Sequence, residues 1–450
     1  MDTSETLNLP VLTGDFVAPD RPEWDLARRA WNLAVDQRPA LVALPADADD
    51  VREIVAYAIR AGLRLAPQGT GHNASPIASL DDTILVSTQR MRGVEIDADA
   101  QTARVQAGTL WLEVTEAATP HGLYPLSGSS PDVGVVGYTL GGGLSWLGRR
   151  HGLAANHVTA IELVTPGGTL VRATADEHAD LFWALRGGGG NFGIVTAIEF
   201  RLFPYDTVYA GMLLWPYERR AEVLRAWHAW TRSAPEEVTT SFRILHLPPL
   251  PDLPPFLAGR SVVVIDGAYA GPAEDGAEVL ESLRALGPEV DTFAPSTPAA
   301  LSRIHMDPEE PIPYRSESLL LRGLDGAALD AFAEAVRPPL LFGELRHLGG
   351  ALGRAPESAG AFGAMDGDYL LFGAGLLMGP ETVQPLRAEL AAFKAGLAAY
   401  DSGSAYPNFV EHQVDAALFY TDATHERLRA IRAAVDPDER MLANHAIAQT

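Results

Sequence analysis

LRLAPQGTGHNA, Leu63–Ala74, runs a short apolar strand (Leu63–Ala66) straight into a loop in which glycine alternates with other residues. Upstream, Val51, Ile54, Val55, Ala58 and Ile59 share one helical face, with Asp47 or Asp49 as the cap and Gly62 as the stop. The loop Gly69-Thr70-Gly71-His72-Asn73-Ala74 fits G-x-G-x-x-[GA], the pattern that cradles a dinucleotide pyrophosphate. A Rossmann site also needs a helix next, and here Pro76 and the strand TILVST (Thr83–Thr88) follow instead. That fold is excluded, yet the loop still offers consecutive backbone N–H groups to an anion, unobstructed by side chains.

Working outward, three more glycine segments follow: Ser127–Gly148 (SGSSPDVGVVGYTLGGGLSWLG), Gly167–Gly168 in a predicted hairpin, and Ala184–Val195 (ALRGGGGNFGIV). So many side-chain-free surfaces in one half of the chain imply close approach by a large ligand, and a planar phosphorylated cofactor fits best. TARVQAG (Thr102–Gly108) reads as a strand and Leu110–Gly122 as a helix. Beyond Pro204 the texture changes. A helix at 217–232, a proline-rich loop (Leu247–Phe256), strands at 261–271, 341–352 and 369–379, and helices at 273–286, 325–336 and 381–400 predict an antiparallel sheet covered by helices. AYPNFVEH (Ala405–His412) reads as an aromatic strand, and 424–435 as a helix.

Composition removes other chemistries. The 450 residues include no cysteine, which excludes disulfides, thiolate metal sites, cysteine nucleophiles and sulfur-tethered flavin. The sole lysine, Lys394, lies in a helical run, away from any P-loop or pyridoxal setting. No G-x-S-x-G or H-E-x-x-H occurs, so no serine-hydrolase elbow and no metal site is expected. A net charge of −24 argues against nucleic-acid and anionic-membrane partners. No apolar run approaches the ~20 residues of a membrane span. The acidic, polar start MDTSETLNLPVLTGDF is not the pattern of a signal peptide, and a cytoplasmic location is expected.

QGTGHN, followed by SPDVGVVGYTLGGG (Ser130–Gly143), DEHADLFWALRGGGGNFGIVTAIEF (Asp176–Phe200) and AYPNFVEH, resembles the berberine bridge enzyme-like branch of the vanillyl-alcohol oxidase flavoproteins. The resemblance implies an α+β chain. A two-part PCMH-type FAD-binding domain of two α/β subdomains, residues 1–205 and 401–450, would enclose an inserted substrate domain, residues 206–400. Gln68, Gly69, Thr70, Gly71, His72 and Asn73 would hold the FAD pyrophosphate. Val133, Gly137, Leu140, Gly141, Gly142, Gly193, Ile194, Val195, Asn408 and Asn444 would lie near the flavin. His72 matches the position that commonly tethers the flavin 8α-methyl; a neutral imidazole is a competent nucleophile there, and the alternative is a noncovalent contact. Doubly tethered members use a cysteine where this chain has Ser130, so the FAD is expected to be covalent through His72 only.

The resemblance further implies an oxidase. A hydride would pass from an alcohol, amine or similar C–H bond of a small organic substrate to flavin N5, and O2 would reoxidise the flavin with release of H2O2. Val133 favours oxygen access, because the family tends to place a small β-branched residue there when oxygen reaches the flavin. A dehydrogenase using another electron acceptor, or a flavin-retaining binding protein without turnover, are the alternatives. The general base is not matched: Leu144 stands where many members carry tyrosine, and YLLFGAGLL (Tyr369–Leu377) is apolar around Phe372, where others carry an acid or amide. Tyr406 is the catalytic candidate, with Arg346, His347, Tyr369 and Glu411 as polar alternatives.

Overall fold

The apolar runs Leu41–Leu44 and Thr83–Ser87 are buried along their whole length, as strands covered on both faces must be. In the computed structural model, which describes residues 9–249 and 257–449, these two strands pair in parallel. Arg64–Gln68 pairs in parallel on the far side of Thr83–Ser87, and Asp15–Val17 adds an antiparallel edge. Helix Ala48–Ala61 makes a crossover: Asp47 accepts the Asp50 N–H at its start, and Gly62 stops it in the left-handed region at φ 68°. Its Val51, Ile54, Val55 and Ala58 are fully buried beside Leu65 and Ile84. That packing fixes the strand whose end, Gln68, opens the glycine loop. The exposed edge of this strand is closed by the C-terminal segment, where Met441 bridges Leu65 and the Leu442 N–H donates to the Leu65 carbonyl at 2.9 Å.

A second, antiparallel sheet runs Val94–Asp97, Thr102–Gln106, Ile194–Arg201, Val158–Val164, Leu170–Ala173. The predicted hairpin is its Val158–Val164/Leu170–Ala173 pair. Leu428 and Ile447 from the C-terminal segment join the core against this sheet.

The large sheet begins at Val208 and is antiparallel throughout, in the order Val290–Asp291, Val208–Pro216, Ser261–Tyr269, Val238–His246, Phe342–His347, Tyr369–Leu376, Tyr314–Leu321. Side chains alternate between its faces. One set, including Phe242, Ile244, Leu345 and Leu371, packs under helices Arg220–Thr231, Gly326–Ala335 and Pro380–Gly396 through Trp227, Phe332 and Phe393. Each of these aromatic rings is fully buried, worth roughly 2–3 kcal/mol apiece. The opposite set carries Ser241, Arg243, Asp266, Glu344 and Arg346, equally buried but charged or polar. Among the described residues no helix is long and apolar enough to cross a membrane.

Several local expectations change. AYPNFVEH is not a strand; Pro407 lacks an N–H for a ladder, and Pro407–Phe409 forms a single 3-10 turn. The helix expected over 273–286 breaks into short turns at Ala273–Asp275, Gly276–Val279 and Glu281–Arg284. Strands Val208–Pro216, Val238–His246 and Tyr314–Leu321 are additional to those expected. Of the proline-rich loop Leu247–Phe256, residues 250–256 lie outside the described residues, as do residues 1–8 of the acidic start.

Candidate functional site

Segments delivered by the three sheets described above wall a cavity of about 410 Å³. Its floor is glycine backbone: Gly69 and Gly71, then Gly134, Gly137 and Gly141, then Gly187 to Gly190. At Gly69 and Gly137, both of which line the cavity, an added Cβ would meet no described atom within 4 Å. On the same wall Asn73 Oδ1 is buried without a hydrogen-bond partner among the described residues, and His72 Nε2 has only the Asp132 carboxylate, at 3.5 Å, beside it. Buried polar atoms are rarely left so. Side-chain-free floor and unmet polar atoms together fit a planar ligand carrying phosphate and amide groups, and the residues present therefore fit FAD.

His72 is held from three sides. Its Nδ1 lies 2.7 Å from the Thr70 hydroxyl, Trp31 stacks on the ring at 4.3 Å and 18°, and Nε2 lies 3.5 Å from Asp132 Oδ2. Asp132 also accepts the Trp31 indole N–H, and the Ser130 hydroxyl donates to it at 2.6 Å. Burial opposes ionisation of Asp132, but the His72 ring, Ser130 and Trp31 hold its carboxyl below the ordinary range.

The C-terminal segment is stitched across the cavity. Asn73 donates to the Pro407 carbonyl (3.1 Å), and His445 Nε2 sits 3.0 Å from the same oxygen. Burial lowers the His445 pKa to about 4, so the ring is neutral. Asn408 donates to the Tyr138 carbonyl and to the Tyr406 hydroxyl.

Opposite the glycine floor, the large sheet contributes Tyr314, Phe342, Arg346, Phe372, Ala374 and Leu376, joined by Phe409 and Glu411. The Tyr314 hydroxyl donates to Glu411 Oε1 at 2.6 Å. Burial pushes the Glu411 carboxyl up to about 7, against the opposing effect of that hydrogen bond. Arg346 donates to Glu344 at 2.7 Å and lies over the rings of Trp146 (5.3 Å) and Phe409 (5.6 Å). Behind it, Glu344 faces His305 Nε2 at 3.7 Å, His305 Nδ1 reaches Asp266 at 3.0 Å, and Asp266 pairs with Arg243. Burial disfavours the His305 charge, but Asp307, Asp266 and Glu344 raise its pKa to about 9. Buried Asp266 and Glu344, with Asp307 at the cavity, thus balance three cations, and the cavity wall receives a guanidinium held by that pairing.

Of the residues the sequence nominated, Gln68 to Asn73, Val133, Gly137, Leu140, Gly141, Gly193, Val195, Asn408 and Asn444 line this cavity. Ile194 does not; it points into the core beside Leu41 and Val164. Gly142 lies behind the wall, against Phe362 and Tyr406. Tyr406, the catalytic candidate, is likewise off the wall: it is 1% exposed, packed on Phe362 and Phe409, and burial pushes its phenol well above the ordinary value. His347 and Tyr369 are on the helix-covered face, Tyr369 bonded to Thr231. Arg346 and Glu411 remain at the cavity. Trp31, Tyr314, Phe342 and Asp307 complete the wall without having been nominated. The signal for Tyr314 was the alternation Tyr314, Ser316, Ser318 against Leu319 and Leu321.

Residues 39–174 match the family model described as an FAD binding domain. The chain is 33% identical over 205 residues to (R)-6-hydroxynicotine oxidase of Paenarthrobacter nicotinovorans, covering 45% of each chain. It is 32% identical over 237 residues to glucooligosaccharide oxidase of Sarocladium strictum, covering 51% of this chain and 47% of that one. These alignments span about half the length of the curated relatives. The structure of Physcomitrella patens BBE-like 1 superposes with a TM-score of 0.85 at 21% identity, over 97% of each chain, which shows a shared fold.

Proposed function

With an FAD-binding domain over residues 39–174 and the fold of the PCMH-type FAD flavoproteins as premise, we propose that the chain is an FAD-dependent oxidase of small organic molecules and that Glu411 is its base. The backbone of Gln68 to Asn73 would hold the pyrophosphate, and Gly134, Gly137 and Gly189, whose Cβ positions no described atom crowds, would let the flat ring system approach the wall. Bound FAD supplies the two-electron acceptor. His72 is the one available tether, since Ser130 has no thiol.

The observation that carries the proposal is Glu411: a cavity-lining carboxyl raised to about 7 and oriented by a 2.6 Å hydrogen bond. A base works best with a pKa near the operating pH, where the ionised form is populated and still takes a proton readily. Tyr314 fixes the carboxyl's orientation; Glu411 accepts the substrate's O–H or N–H proton. Phe342, Phe372 and Phe409 supply flat apolar walls that exclude water from that proton transfer. Arg346 meets an acceptor oxygen on the substrate, and its buried support means that it need not reorganise on binding. Val133 lines the cavity with a short β-branched side chain, which supports access of oxygen.

The test is a panel of sugars, aromatic alcohols, amines and phenols under air, read as hydrogen peroxide formed per substrate consumed. One-to-one peroxide supports the oxidase. Substrate-dependent bleaching of the flavin without peroxide, coupled to a quinone, would make the chain a dehydrogenase.

A further inference from the structure

We infer that Asp132 is the positioning residue that prepares His72 for covalent attachment to the flavin. The inference rests on the proposed His72 tether and goes beyond it, because a histidine near a flavin methyl is not by itself a nucleophile. An imidazole attacks through the nitrogen that carries a lone pair, so the proton must be on the other nitrogen. Here the two nitrogens face different partners. Nε2 makes no hydrogen bond among the described residues and lies beside the Asp132 carboxylate at 3.5 Å, whereas Nδ1 is 2.7 Å from the Thr70 hydroxyl. A carboxylate only accepts, and a hydroxyl also donates. The arrangement therefore keeps the proton on Nε2, beside the carboxylate, and the lone pair on Nδ1, which attacks once the rotatable Thr70 O–H turns away.

Three further features belong to this arrangement. The Ser130 hydroxyl and the Trp31 indole N–H both donate to Asp132 and favour its ionised form. Trp31 also stacks on His72, fixing the plane of the ring. Asp132 is two residues from Ser130 in the loop that lines the cavity, so one short segment supplies both the carboxylate and the donor that holds it.

One C–H bond of the 8α-methyl group breaks and its proton passes to solvent, a bond forms between His72 Nδ1 and the 8α carbon, and the imidazole gives up its Nε2 proton to Asp132, which returns it to solvent. Two electrons stay on the ring system, which is left reduced with its protons drawn from solvent, and dioxygen then removes two electrons and two protons as hydrogen peroxide. By taking that proton Asp132 removes the positive charge that alkylation would otherwise leave on the imidazole.

The experiment measures covalent flavin, not turnover. Wild type, D132N, D132A, D132E and H72A are purified with FAD, denatured in acid, and the yellow colour is divided between pellet and supernatant for the FAD-bound fraction of each protein. The expected result is colour in the pellet for wild type and D132E, and in the supernatant for D132N, D132A and H72A. The rate at which FAD-loaded D132A converts to the covalent form should be lower by on the order of 100-fold, the range of a lost proton acceptor. Added formate, which fits the vacated carboxylate space, should restore it; a purely structural role would not respond. Pellet colour in D132N equal to wild type, or no rescue of FAD-loaded D132A by formate, overturns the role of Asp132 and leaves the His72 tether standing. Colourless wild-type pellets overturn both.

Discussion

The Tyr314 hydroxyl and Glu411 Oε1 lie 2.6 Å apart, joining a strand of the large sheet to the C-terminal segment across the cavity mouth. Neither residue belongs to the half of the chain that holds the glycine floor, so the proposed proton acceptor and the cofactor cradle come from different ends of the sequence. The hydrogen bond stabilises the ionised carboxyl, yet burial outweighs it and leaves the group near 7.

A pH profile follows. The base must be ionised to accept a proton, so flavin reduction should rise as pH increases through about 7 and level off above it. Tyr314→Phe removes a donor to the carboxylate and should shift that limb to higher pH. Rapid-mixing reduction rates between pH 5 and 9 check both.

Stability should run the other way. The folded pKa of Glu411 lies above the ordinary glutamate value, so the folded state holds its proton more tightly than the unfolded one. That contribution is fully present below the unfolded pKa and is lost as pH rises through about 7. Glu411→Gln should therefore gain stability relative to wild type above neutral pH and match it more closely near pH 4, measured by denaturant unfolding of the FAD-loaded protein.

Arg346 and Glu344 should prove coupled. Removing one partner of a buried pair leaves the other charge uncompensated, at a cost of about 3–5 kcal/mol, whereas removing both costs less. Arg346→Met should destabilise more than Arg346→Met with Glu344→Gln, and a double-mutant cycle by denaturant unfolding gives the difference. In activity, Arg346→Lys should raise KM more than it lowers kcat, because a lysine keeps the charge and loses the fixed geometry.

Two glycines separate ligand space from protein space. A Cβ at Gly137 meets no protein atom, so Gly137→Val should fold and lose FAD affinity. A Cβ at Gly141 would sit 1.8 Å from Asn408 Oδ1, so Gly141→Ala should disturb the chain itself. Thermal unfolding alongside flavin content distinguishes the two outcomes.

The cofactor half was legible in the sequence because its requirement is local. A backbone that must approach a flat ligand needs glycine, and Gly69, Gly137 and Gly189 meet that need, while Gly71, Gly141, Gly187 and Gly188 in the same segments are required by close packing within the protein. The substrate half was less legible for two reasons. Tyr314–Leu321 pairs with Tyr369–Leu376, some fifty residues away, and alternation alone does not say which face meets a cavity. In AYPNFVEH, a strand would put Tyr406 and Asn408 on one face. The 3-10 turn at Pro407–Phe409 breaks that period, sends Asn408, Phe409 and Glu411 to the cavity, and leaves Tyr406 behind them. Arg346 was named from the sequence, but its buried layer with Asp266, His305 and Glu344 was not, because Asp266 is on another strand and His305 outside both.

The most direct test is anaerobic rapid mixing of FAD-loaded Glu411→Gln and Tyr406→Phe with a substrate from the panel, following loss of flavin absorbance. Loss of the base should slow reduction in Glu411→Gln by about 100- to 10,000-fold, while Tyr406→Phe stays within a few-fold of wild type. Reduction at the wild-type rate in Glu411→Gln, with the large loss in Tyr406→Phe instead, would contradict the assignment of Glu411 as the base.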